Sequence, residues 1–71
     1  MFNKTALLHA MVDAECSATE LAQACGLSRS AFYRRMAGAV DFTVGDVDAC
    51  SARLGLDPTR RDQIFFEKKV S

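Results

Sequence analysis

The sequence predicts an all-α fold of five short helices, and three observations carry that prediction. Side chains that cap helix N-termini recur ahead of apolar runs, and glycines close several of those runs. No stretch alternates apolar and polar residues long enough to make a strand.

The elements follow in order. Asn3 is placed to cap a first helix of about residues 4–14, with Leu7, Ala10, Met11 and Ala14 on one face and Leu8 and Val12 beside it. His9 and Asp13 stand four residues apart on that helix and form a surface pair. "SATE" at 17–20 reads as a capping box, in which Ser17 accepts from the Glu20 N–H and Glu20 reaches back. It starts a second helix of about 18–25, which Gly26 ends in a left-handed conformation. Ser28 caps a third helix of about 29–37, closed by Gly38. Thr43 caps a fourth of about 44–54, with Asp46 near its positive end and Gly55 as its stop. Val44, Val47, Cys50, Ser51 and Leu54 face inward there. Asp57 before Pro58 opens a fifth helix to about Phe66, and 67–71 are a short tail.

Seventy-one residues make a single domain, 1–71, with its core at about 4–66. A chain of this size hides only about 60% of its unfolded surface, which leaves no room for a deep cleft beside a second binding unit. Nine Lys/Arg balance nine Asp/Glu, so net charge predicts no partner. Distribution says more. Residues 28–38 hold Arg29, Arg34 and Arg35 and no acid, whereas 39–50 hold Asp41, Asp46 and Asp48 and no base.

Cys16, Cys25 and Cys50 are an odd number without metal-site spacing, which predicts free thiols in a reducing, cytoplasmic setting. Cys25 and Cys50 fall at apolar helix positions, where a thiol packs as a small hydrophobe. The opening segment is too short to span a bilayer and lacks a signal-peptide pattern. His9 is the sole histidine and no glycine-rich phosphate loop occurs, so no catalysis, metal, cofactor or small-molecule substrate is expected.

The connection between helices two and three is the informative part. Gly26 and Leu27 alone separate the second helix from the cap of the third, which forces a steep crossing as in a helix-turn-helix. Leu21, Cys25, Leu27 and Phe32 point into the corner, and Ala22 is small where the next helix approaches. On a wheel at about 100° per residue, Phe32 and Met36 mark the buried stripe of helix three. Ser30, Tyr33, Arg34 and Ala37 face away, and Arg29 reaches past the helix start. Arg35 borders the core, with its stem laid against it and its head toward a phosphate. Such a face suits the major groove of B-DNA. Arginine donates twice to guanine, serine donates or accepts, and small residues let the backbone approach.

"SATELAQACGLSRSAFYRRMAG" resembles the helix-turn-helix of the Cro/CI-type phage repressor family, also called XRE-like regulators, and the resemblance extends over about residues 5–66. The ending "LGLDPTRRDQIFFEKKVS" is similar to short phage-encoded members. The resemblance implies a lambda-repressor-like five-helix domain that regulates transcription by binding double-stranded operator DNA, commonly as a homodimer. By position it implies contacts from Ser28, Arg29, Ser30 and Arg34 on the recognition helix and from Gln23 on helix two, where Ala18 holds a second such place. Tyr33 and Arg35 complete the expected DNA-binding set. The loop "AVDFT" lacks the cations that many relatives place against phosphates, which predicts weak binding per subunit.

Two questions stay open in the sequence. Phe65 and Phe66 cannot both face one small core, so either one packs inward and one lies under the tail, or Phe65, Phe66 and Val70 form a homodimer surface. The acidic 41–48 segment and the Phe65/Phe66 region also allow a protein-binding adaptor built on the same scaffold.

Overall fold

The computed structural model describes residues 2–66 of the chain. Its elements are α1 (Lys4–Asp13), α2 (Ala18–Ala24), α3 (Arg29–Met36), α4 (Val44–Leu54) and α5 (Pro58–Phe65), with no strand among the described residues. Every helix begins where a capping side chain predicts. Asn3 accepts from the Ala6 N–H at 3.0 Å, Ser28 from Ala31 at 3.1 Å and Asp57 from Arg60 at 2.7 Å. Ser17 and Glu20 exchange two bonds of 3.1 Å, and Thr43 and Asp46 exchange two of 3.0 Å. Four helices stop one residue before the expected ends because Ala14, Cys25, Ala37 and Phe66 are C-caps rather than members.

The helix ends share one chemistry. Leu27 N–H donates to the Ala22 carbonyl, Ala39 to Arg34 and Leu56 to Ser51, each around a glycine of positive φ. α1 closes the same way, with Cys16 N–H on the Met11 carbonyl at 2.9 Å. There, however, Glu15 holds the left-handed position at φ 52°, the one described non-glycine residue to do so.

Apolar side chains from all five helices meet in one core. α1 gives Leu7, Ala10 and Met11; α2 gives Leu21 and Ala22; α3 gives Phe32 and Met36; α4 gives Val47, Cys50 and Leu54; and α5 gives Ile64 and Phe65. Cys16, between α1 and α2, joins them. Phe2 and Phe42 cover one edge, with ring centroids 4.9 Å apart and Phe42 5.3 Å from Phe65. The Asn3 N–H donates to the Ile64 carbonyl at 2.7 Å and ties the start of α1 to α5.

Three expectations change. Val44 is 74% exposed rather than inward, because Asp46 and Val47 take the buried side of the first α4 turn. Leu8 and Val12, placed beside the inner face of α1, are likewise exposed. Asp13 does not pair with His9; its carboxylate accepts from Arg60 Nη2 at 2.8 Å, so it joins α1 to α5 instead.

Candidate nucleic-acid interface

The corner between α2 and α3 is built from the core outward. Leu21 and Phe32 are fully buried, Ala22 is small at the close approach, and Cys25 and Leu27 are half-buried behind the turn. Gly26 supplies the φ of +68° that lets the chain reverse between the two helices. Burial of Phe32 and Met36 then fixes the rotation of α3, leaving Ser28, Arg29, Ser30, Tyr33, Arg34 and Ala37 exposed. Gln23 is exposed on α2, on the helix that precedes this face. Tyr33 keeps an edge against Phe32, with centroids 6.1 Å apart, and is 49% exposed. Its ring is steadied by the core while its outer part faces water.

Arg35 is not part of this face. Its Nε donates to Asp46 Oδ2 at 2.7 Å and its Nη1 to the Ala31 carbonyl at 3.2 Å. The expected phosphate contact is therefore corrected to an internal one, in which the guanidinium joins α3 to the start of α4. The stem lies at the core edge, as the wheel predicts; the head turns to a carboxylate. Asp46 is 7% exposed and also accepts from the Thr43 N–H. Burial by itself raises the pKa of Asp46, but hydrogen bonds from Thr43 and Arg35 outweigh it and hold the carboxyl below its ordinary value. The acidic 41–48 segment thus loses its middle member as a surface charge; Asp41 and Asp48 are exposed.

Arginine pairing separates the cations further. Of six arginines in the chain, Arg35, Arg53, Arg60 and Arg61 sit within 3.3 Å of a carboxylate. Arg29 and Arg34 appear in no ion pair among the described residues, and both stand on the outer side of α3. Lys4 on α1 is likewise in no described pair. A chain of zero net charge therefore presents a local positive face, because its acids neutralise the other arginines in place.

The phenylalanine question resolves unequally. Phe65 is 6% exposed and packs on Phe42, so its place among the candidate dimer contacts is corrected to the core. Phe66 is 50% exposed beside a groove that Phe2, Val40 and Phe42 also line. Val70 lies outside the described residues. Among the described residues no three His, Cys, Asp or Glu side chains gather as a metal site, and no helix is long and apolar enough to cross a membrane.

Sequence reasoning missed Arg35–Asp46 as a pair, although each half carried a signal: a core-edge angle on α3 and a capping position on α4. It also missed Cys16 as a core residue, since that cysteine lies between helices and outside any periodic run.

A family model described as a helix-turn-helix domain matches residues 6–64. No curated protein and no solved structure matches the chain.

Proposed function

The chain belongs to the helix-turn-helix domain family, and on that premise we propose that it is a sequence-specific regulator of Cro/repressor type that binds double-stranded DNA. α3 enters the major groove with its N-terminal residues toward the base edges. Arg29 and Arg34 carry the guanine-reading role, each able to donate twice to O6 and N7. Ser28 and Ser30 offer donors or acceptors at the helix start, and Gln23 meets the backbone. The exposed Tyr33 contacts a thymine methyl or a phosphate.

One observation carries this reading: the two arginines that no described acid neutralises share the exposed face of the second helix of the motif. Phe32 and Met36 orient that face through the core. Each neutralised phosphate contributes a salt slope of about −0.9, so two or three cations give roughly −2 to −3 per subunit. So few cations predict weak binding per subunit, which a homodimer on a palindromic site offsets, with the exposed Phe66 as the described candidate contact. The adaptor reading loses ground because Asp46 and Phe65, two of its key residues, are buried.

Selection from random duplexes, followed by a salt titration of the enriched sequence, tests the proposal. Enrichment of one site whose affinity falls with added salt is expected. If no sequence is enriched and no salt-dependent duplex binding appears at low ionic strength, the regulator reading fails.

A further inference from the structure

Cys25 and Cys50 bring their sulfurs to 3.2 Å across 25 positions of sequence. Cys25 is the C-cap of α2, beside the turn, and Cys50 lies in the middle of α4. A disulfide has an S–S distance of about 2.05 Å, so the two sulfurs need to close by roughly 1.1 Å. Their exposures differ in a useful way. Cys50 is fully buried, whereas Cys25 is half-buried and so the more accessible residue of the pair. Cys16 is buried in the same core, with its Sγ directed at the Ser17 carbonyl 3.6 Å away.

We propose that Cys25 and Cys50 form an oxidation site that a small hydroperoxide converts into an intramolecular disulfide, leaving Cys16 a free thiol. In the first step the Cys25 thiolate attacks a peroxide oxygen. The O–O bond breaks, a sulfenic acid forms on Cys25, and the oxygen that leaves is released as water or alcohol after taking up a proton. In the second, the Cys50 sulfur attacks the Cys25 sulfur, the S–O bond breaks, and the departing hydroxide takes the Cys50 proton as water. Two thiols and one peroxide thus give one disulfide; the sulfurs lose two electrons and the peroxide gains them. A thiol reductant reverses the bond.

Burial raises the Cys25 thiol above its ordinary value, the hydrogen bond with Cys50 opposes that, Asp46 and Cys16 add to it, and Arg35 opposes it. The thiolate fraction at neutral pH is therefore small, which slows the first step. The new bond closes a loop that contains all of α3. Because that loop constrains the unfolded chain, oxidation raises the melting temperature by about 10 °C or more. None of this depends on DNA binding.

The test treats the full chain, dilute and fully reduced, with hydrogen peroxide and follows intact mass and non-reducing peptide maps. The expected result is loss of two hydrogens, a Cys25–Cys50 linked peptide, alkylatable Cys16, and a higher melting temperature that reductant reverses. The wild-type map needs no variant, so misfolding of a Cys50→Ala protein does not confound it. Cys16→Ser retains the linkage, and Cys25→Ser abolishes it. A linkage through Cys16, cross-links only between molecules, or over-oxidation without any linkage overturns the proposal.

Discussion

Asp46 offers the sharpest test of how α3 is held. Replacing it by alanine removes the 2.7 Å bond to Arg35 and the acceptor for the Thr43 N–H in one step. The two side chains are 16% and 9% exposed, so the pair is shielded well enough that loss of one partner strands the other. Breaking a buried pair costs about 3–5 kcal/mol; with the Ala31 carbonyl still accepting from Arg35, we expect about 2–4 kcal/mol. Stability for a chain of this length is on the order of 4–10 kcal/mol, so Asp46→Ala consumes a large share. Urea unfolding at neutral pH measures it. Asp48→Ala, at an exposed neighbour, should change stability by less than about 0.5 kcal/mol. A cycle with Arg35→Met should give a coupling above about 1 kcal/mol. If Asp46→Ala behaves like Asp48→Ala, the clamp between α3 and α4 does not exist as described.

Four further outcomes are expected. The carboxyl of Asp46 is held below its ordinary value, so its contribution is present above the unfolded pKa of about 3.9 and is lost as pH falls through the lower folded value. Acid unfolding followed by circular dichroism should therefore be steeper below about pH 4 in wild type than in Asp46→Asn. Glu15→Gly relieves a left-handed residue that carries a Cβ and should stabilise by about 0.5–1 kcal/mol in urea melts. Ser51→Ala removes a buried hydroxyl without a described partner and should stabilise by up to about 1 kcal/mol in the same assay. Phe65→Ala should cost about 3–5 kcal/mol, whereas Phe66→Ala should cost less than about 1 kcal/mol, and equal losses would contradict their unequal burial.

The parts legible in the sequence are those decided within a turn or two of helix. Asn3, Ser17, Ser28, Thr43 and Asp57 each satisfy an N–H three residues on, so the starts of all five helices are local facts. The outward rotation of α3 is equally local, because Phe32 and Met36 mark its inner side. What escaped depends on distant chain segments. Arg35 finds Asp46 eleven positions away, Asp13 finds Arg60 across 47, and Cys25 meets Cys50 across 25. Periodicity tells that a residue stands at a core edge but not which charge waits there. Adjacent Phe65 and Phe66 were ambiguous for the same reason: only the packing of Phe2 and Phe42 selects which one turns inward.

The central claim is that the outer face of α3 meets DNA, and amide shift mapping on the selected duplex addresses it most directly. Perturbed amides should cluster at Gln23 and across residues 28–37, and Arg34→Ala should weaken binding by about 1–3 kcal/mol while relaxing preference at one base position. Perturbations centred instead on Asp41, Asp48 and Phe66, with Gln23 and α3 unmoved, would contradict it.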